Sequence, residues 1–467
     1  NLLENAATEA QVRQYLVTDR KWVPYPAYDD RAGWDRLIGD SKEDIIKAGQ
    51  RYLDYHWTVV RATDYLEYEK SGNRNTMQNP NNQNARVFSI LLMAELAEGK
   101  GRFVNDLMNG VLFFSEMTSW AESAHLAVFQ KTRRAMPDFR EDVLELHQGG
   151  MAQMLSWTYY FLKDSFDKID PMIALRLRHE LQKRELDPFM QRDDFWWMGR
   201  NYKEGALLNN WTPWCNANAL LCFMLLEDNP DTLAKAVYKS MESVDKFLNY
   251  VKSDGACEEG PSYWGHASGK LYDYLSELSL ITGGKINLFG NEQIRKMGEY
   301  IARSYIGDEW VANFADASAR AGEVNTSLIY RYGVAVNSKM MKSMAAMREK
   351  LYPSKLPSSW MDLYIGLETL RFRPLLNKEK SEFKYPDFTW YPQTEFCYMR
   401  SGGAFLAAKG GFNNESHNHN DVGTFILAFD NVPVMIDAGV GTYTRKTFSK
   451  ERYTICGQCR AIITPCR

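Results

Sequence analysis

Two of the chain's seven histidines stand one residue apart, His417 and His419, in Ser416-His417-Asn418-His419-Asn420-Asp421. The stretch lies between Gly410-Gly411 and the apolar run Phe425–Phe429, and its pattern reads as a strand. Residues i and i+2 of a strand point to one side, so both imidazoles would share a face. Two solvated loop histidines would be written with the same letters, and the surrounding sequence favours a site. A turn at Asp430-Asn431 and a second run from Pro433 to Gly439 predict an antiparallel return that brings Asp437 beside His419. Imidazole plus carboxylate is the donor set of a zinc site still lacking a member.

Two further segments depart from plain helical patterning. In Asn209-Asn210-Trp211-Thr212-Pro213-Trp214-Cys215-Asn216-Ala217-Asn218, helix capping accounts for one or two of the asparagines. The others are open to a ligand role, since an amide near a helix N-terminus suits a carboxylate. The second segment, Asp254 to His266, is a Gly- and Pro-punctuated loop carrying Glu258, Glu259, Tyr263, Trp264 and His266. Loops of this kind on a helical scaffold commonly hold catalytic groups. The plainer reading packs Tyr263 and Trp264 in the core and leaves the glutamates in water. Adjacent Glu258 and Glu259 do not make a glycosidase pair, which needs carboxyls roughly 5–9 Å apart facing across a bond.

The elements that must position these residues are mostly helices. After a mixed, Pro-containing arm, Ser41-Lys42-Glu43-Asp44 reads as a capping signature. Apolar residues at three- and four-residue spacing then predict helices over 84–99, 104–121, 139–163, 171–186, 214–226, 232–251, 268–282, 291–304, 338–351 and 360–370. So many consecutive helical hairpins indicate an α/α toroid. Beyond a charged linker at 371–384 the pattern changes to short β-rich runs, the opening of an antiparallel sheet. The expected class is therefore mainly α plus β, with a toroid domain over 1–375 and a partial antiparallel β-sandwich over 376–467.

Composition narrows the function classes. The formal charge of −3 over 467 residues, with no long basic run, lacks the footprint of a nucleic-acid binder. A polyanionic substrate would need a local basic groove. Aromatics make up 13% of residues, rich for a soluble protein; most belong to the core, and exposed rings are a common way to stack on sugar faces. The seven cysteines, odd in number and irregularly spaced, give no disulfide framework, and Cys456-x-x-Cys459 has no second pair. No apolar run is long enough to span a membrane. The chain begins with Asn, consistent with a mature product whose signal peptide has been removed and with a periplasmic or secreted location.

Taken together, Asn-Asn-Trp-Thr-Pro-Trp-Cys-Asn at 209–216, Glu-Gly-Pro-Ser-Tyr-Trp at 259–264, Asn-Phe-Ala-Asp-Ala-Ser-Ala-Arg at 313–320, His-Asn-His-Asn-Asp-Val-Gly at 417–423 and Ile-Asp-Ala-Gly at 436–439 resemble the heparinase II/III-like polysaccharide lyases. The resemblance implies a toroid, a β-sandwich, and a cleft between them that cuts acidic polysaccharides by β-elimination. It implies Tyr263 as the catalytic tyrosine with His417 as its partner, their acid and base roles depending on the uronate epimer. Asn210, with His417 near it, would neutralise the uronate carboxylate. Trp211 stands where some relatives have a histidine. Asn209, Trp211, Glu259, Trp264 and Arg320 are candidate substrate contacts.

The same resemblance implies a structural zinc held by His419 and Asp437; the further histidine that family members supply is not in this sequence. The tail from Cys456 to Arg467 has no strand pattern. One permitted back-translation, shifted by two bases, reads Trp-Thr-Met-Gln-Ser-Asp-Tyr-His-Thr-Leu-Pro, which includes a histidine. The hypothesis is a frameshift that ends the sandwich early and leaves activity weak or absent. The alternatives are a glycoside hydrolase on the same toroid and an inactive glycan-binding relative. The residues do not choose among heparin or heparan sulfate, chondroitin or hyaluronan, alginate and other uronates.

Overall fold

The computed structural model describes residues 1–201, 203, 206–321, 325–356, 361–449, 451–455 and 462–463. The tail cysteines Cys456, Cys459 and Cys466, and the shifted reading built on them, lie outside these residues, as does Trp360.

The chain folds around the helix Trp211–Leu226, which is buried on nearly every face. Its sequence, WTPWCNANALLCFMLL, has no polar stripe, as expected of a helix surrounded by other helices. Helices Leu146–Asp167, Pro230–Tyr250 and Lys270–Ile281 pack around it. Burying Leu220, Leu221, Phe223 and Leu225 contributes roughly 1.5–3 kcal/mol each before conformational entropy is subtracted. Polar residues on this helix are partly matched inside: Asn216 Nδ2 donates to Ser243 Oγ at 2.8 Å, and Asn218 Oδ1 accepts from Gln153 Nε2 at 2.8 Å, while Asn216 Oδ1 and Asn218 Nδ2 have no hydrogen-bond partner among the described residues.

Most expected helices are present with shifted ends. Asn75–Glu98 begins nine residues before the periodic stretch and carries Pro80 in its first turns. Leu146–Asp167 starts where Glu145 caps it, accepting from the His147 and Gln148 N–H groups. The N-terminal arm is more regular than its composition implies, with helices at Glu9–Tyr15 and Arg31–Ile38. Ser41 does not cap the helix that follows it; its hydroxyl accepts from Arg373 at 2.9 Å instead. Thr326–Ala335, a helix absent from the sequence reading, is capped by Asn325.

The last long helix ends at Leu376, and a single turn follows at Arg452–Ile455. A short ribbon, β1 (Tyr305–Gly307) and β2 (Trp310–Val311), lies within the helical part. The main sheet is antiparallel in the order β3 (Phe388–Tyr391), β4 (Phe396–Ser401), β5 (Ala404–Lys409), β6 (Phe425–Phe429), β7 (Val432–Ile436), β8 (Ile462–Ile463). Its inner face packs on the helices through Tyr391 against Tyr300 and Phe396 against Phe314, with ring centroids 5.9 and 5.3 Å apart. Asp254 ties the β3–β4 turn to the helical layer by accepting from the Gln393 and Thr394 N–H groups at 2.9 and 2.8 Å. The outer face exposes Phe388, Trp390, Met399, Phe425 and Phe429. Among the described residues nothing covers this apolar side, as in one half of a sandwich.

Candidate active site

The histidine pair lies in a loop between β5 and β6, not in a strand. His417 has φ of +53°, in the left-handed region, so the period-two argument fails. Asp316 brings the rings together instead. Its Oδ2 accepts from His417 Nδ1 at 2.8 Å, and its Oδ1 is paired with His419 Nε2 at 2.9 Å and Arg452 at 2.6 Å. Burial opposes the charge on Asp316. The hydrogen bonds from both histidines and the Arg452 guanidinium overcome that and hold its carboxyl well below the usual range.

Asp316 belongs to the Asn-Phe-Ala-Asp-Ala segment, whose turn is set by Ala315 at φ +58°. This turn meets the Glu259-Gly260-Pro261 turn at close quarters. A Cβ on Gly260 would stand 2.3 Å from the Phe314 carbonyl oxygen and 2.9 Å from Ala317, and Gly260 has φ of +89°. Only glycine allows the two loops to touch here. Ser318 N–H donates to Ser262 Oγ at 2.9 Å, and Asn313 Nδ2 donates to the Asp437 carbonyl at 3.1 Å. Three segments distant in sequence are thus locked together beside Tyr263.

The Tyr263 ring lies 4.2 Å from the His417 ring, centroid to centroid, at 31°. Its hydroxyl is 2.6 Å from that of Tyr443, which donates to Asp316 Oδ2 at 2.8 Å and lies 3.3 Å from His417 Nδ1. Because the Tyr443 proton goes to Asp316, the Tyr263 hydroxyl is the donor in the phenol–phenol bond. Burial raises Tyr263 above the usual tyrosine range, only partly offset by Tyr443, so it stands as a neutral phenol. Tyr443 and Asp316 were not singled out from sequence. Asp316 lay inside a motif that carried the resemblance; Tyr443, on a stretch without strand or helix pattern, gave no signal.

Asn210 lines the cleft, but its backbone N–H and one Nδ2 proton point at Glu259, at 3.2 and 2.7 Å. The second Nδ2 proton remains for a ligand. Glu259, a candidate substrate contact, is 3% exposed, is absent from the cleft lining, accepts from Asn210 and lies 3.4 Å from His417 Nε2. Burial raises its carboxyl, while His417 and the Asn210 donors pull the other way. Glu258 accepts from Tyr250 and from the Ser416 N–H at 3.1 Å, holding the loop that carries His417.

Asn209 and Trp211 line the cleft, where Trp211 meets His125 edge-on at 4.7 Å. Trp264 does not. It is turned into the core, its indole N–H on the Met297 carbonyl at 2.9 Å and its ring against Tyr332, because it follows Tyr263 directly and faces the opposite way. Arg320 is also outside the cleft, exposed, over the Trp310 ring and paired with Glu309 at 3.2 Å.

His419, Asp421 and Asp437 are buried and present one donor atom each, all within 4.8 Å of one another. The His419 ring binds Asp316 through Nε2 and turns Nδ1 toward Asp437 Oδ1, 3.9 Å away. Asp421 Oδ2 is buried without a partner, while Oδ1 pairs with the buried Lys409 ammonium at 2.6 Å. The donor set and the orphaned oxygen fit a cation, and Asp421 is the member missing from the sequence reading. Of these groups, Asn209, Asn210, Trp211, Tyr263, Asp316, His417 and Tyr443 border a cleft of about 1340 Å³.

No family model matches this sequence, and no curated protein matches it. Among solved structures, heparinase III superposes with a TM-score of 0.51 at 13% identity, over 92% of this chain and 68% of that one. A heparan sulfate lyase from Pedobacter heparinus gives 0.48 at 12%, over 97% and 63%, and a chondroitin AC lyase variant from Streptomyces coelicolor gives 0.47 at 10%, over 90% and 57%. The chain thus spans about 63% of the length of that heparan sulfate lyase. The heparinase III likeness establishes the fold, an α/α toroid followed by an antiparallel sheet.

Proposed function

We propose that the chain is a polysaccharide lyase of the heparinase II/III-like kind, cleaving uronate-containing glycans by β-elimination. The observation that carries this reading is that Tyr263, His417 and Asn210 line one cleft, with Tyr443 and Asp316 hydrogen-bonded to the first two. Elimination needs a base for the C5 proton, an acid for the leaving oxygen on C4, and donors for the carboxylate that takes up charge. With His417 Nδ1–H engaged by Asp316, the Nε2 lone pair is assigned the C5 proton. As the C5–H electrons form the C4=C5 bond and the C4–O bond breaks, Tyr263 gives its phenol proton to the leaving oxygen. The free Nδ2 proton of Asn210 meets the carboxylate.

A zinc ion, the metal that the resemblance implies, would be held by His419, Asp421 and Asp437. Its chemistry there is structural bracing of the loop that presents His417, with Asp316 as the outer partner of His419. A periplasmic or secreted location goes with a polymeric substrate; no described helix is long and apolar enough to cross a membrane.

One observation favours a glycoside hydrolase: Asp316 is pushed down and Glu259 up, as in an acid–base pair. The His417 imidazole, however, stands between those carboxyls, within 2.8 Å of one and 3.4 Å of the other, where the bond to be cut would have to lie. Incubation with a panel of uronate polymers decides between the two readings. Ultraviolet absorbance from a conjugated C4=C5 bond, lost in Tyr263→Phe and His417→Ala, is the expected result. Saturated products would establish the hydrolase.

A further inference from the structure

Among the described residues lining the cleft, Arg74 and Arg452 are the only arginines and lysines, against the carboxylates Glu122, Asp316 and Glu415. Both guanidiniums are engaged within the protein. Arg452 binds Asp316 at 2.6 Å and the Asn418 carbonyl at 3.1 Å. Arg74 binds His125 at 3.0 Å and Glu122 at 3.4 Å, with its guanidinium over the Phe448 ring. His266 is exposed to the cleft and stacks on Trp214 at 4.8 Å. The remaining walls mix neutral polar groups, such as Asn75, Gln78 and Asn82, with aromatic rings, Trp196, Trp211 and Trp214 among them.

A sulfated glycan brings several anions per repeat, and each is ordinarily met by an arginine or lysine. The lining carboxylates are themselves paired, Glu122 with Arg74, Asp316 with Arg452 and Glu415 with Lys252, so among the described residues the cleft holds no uncommitted arginine or lysine for a sulfate, whereas flat rings suit the faces of uncharged sugar carbons. Resting on the lyase reading, we propose that the substrate is an unsulfated polyuronate, whose uronate carboxylates are the only anions it brings to the cleft. One carboxylate at a time can be met by the neutral Asn210 amide and by His417 without a basic groove.

The test compares matched polymers: heparin and chondroitin sulfate, their chemically desulfated forms, hyaluronan and alginate, followed by ultraviolet absorbance. The expected result is product from at least one unsulfated polymer, with kcat/KM at least about tenfold above that of any sulfated form of the same backbone and little dependence on salt. Faster cleavage of a sulfated polymer than of its desulfated form overturns this proposal and leaves the lyase reading intact. Absence of ultraviolet-absorbing product from every polymer overturns the lyase reading and this proposal with it. Calorimetry with Tyr263→Phe gives a second measure: sulfated oligosaccharides binding more tightly than desulfated ones would also refute it.

Discussion

Tyr443 donates to Asp316 at 2.8 Å while its own oxygen receives the Tyr263 hydroxyl at 2.6 Å, so two phenols form a directed chain ending on a buried carboxylate. The chain fixes where the Tyr263 proton points before substrate arrives; once that proton has left, the Tyr443 hydroxyl has to turn from Asp316 to donate to the phenolate. Tyr443→Phe keeps the ring and removes both bonds. The expected outcome is a kcat lower by roughly 10²-fold with KM little changed, against roughly 10²–10⁴-fold for Tyr263→Phe. Steady-state rates from ultraviolet absorbance check both.

Asp316 collects His417, His419, Tyr443 and Arg452 on two oxygens. Asp316→Asn keeps the size and loses the charge, leaving the buried Arg452 guanidinium without its counter-ion. Breaking a buried pair from one side costs about 3–5 kcal/mol, and the His417 tautomer is no longer fixed. Urea denaturation is expected to show that loss, with activity falling further than stability alone explains at temperatures where the variant is folded.

The toroid was legible in sequence because its signal is local: apolar spacing alone placed helices such as Pro230–Tyr250 and Glu292–Arg303 within two residues. The site was legible only in part. Tyr263, His417 and Asn210 stood out by residue type and company, but what joins them is non-local. Asp316 reaches His417 across 101 residues and Tyr443 across 127, and no periodicity records such pairings. Trp264 and Glu259, expected at the cleft, lie buried away from its lining for a related reason. Neighbours of a catalytic residue on a tight turn alternate between cleft and core, and a sequence does not say which way each faces. The strand expected at His417 failed because Asp316, rather than a pleat, sets the ring positions.

Gly260 offers a test of how tightly the loops are locked. A Cβ there meets the Phe314 carbonyl oxygen at 2.3 Å, and the positive φ adds strain for any other residue. Gly260→Ala is expected to cost about 1–3 kcal/mol by overpacking and strain. Because the clash lies three residues from Tyr263, kcat is also expected to fall in the folded variant, as measured alongside thermal denaturation.

Zinc bears on the His419, Asp421 and Asp437 cluster. An ion that binds the folded chain alone raises stability by about 2.7 kcal/mol at a hundredfold excess over its Kd. Zinc is expected to raise Tm, a chelator to reverse the rise, and Asp437→Asn to abolish it. The Asp437 substitution leaves Lys409–Asp421 intact, so a stable variant without a zinc response separates metal binding from packing.

Glu185 supplies a pH signature remote from the cleft. It is 2% exposed in the π-helical turn 182–186, with Gln148 Nε2 donating to it at 2.6 Å. Burial pushes its carboxyl up to about 8, against which that single hydrogen bond acts weakly. The unfolded chain titrates near 4.3, so the folded state holds a proton that the unfolded state gives up as pH rises between the two values. Its contribution to stability is therefore complete below about pH 4 and is lost progressively as pH rises through about 8. Glu185→Gln keeps an acceptor for Gln148 and removes the titration. The variant is expected to match the parent near pH 5 and to melt several degrees higher near pH 9, as scanning calorimetry at both pH values would show.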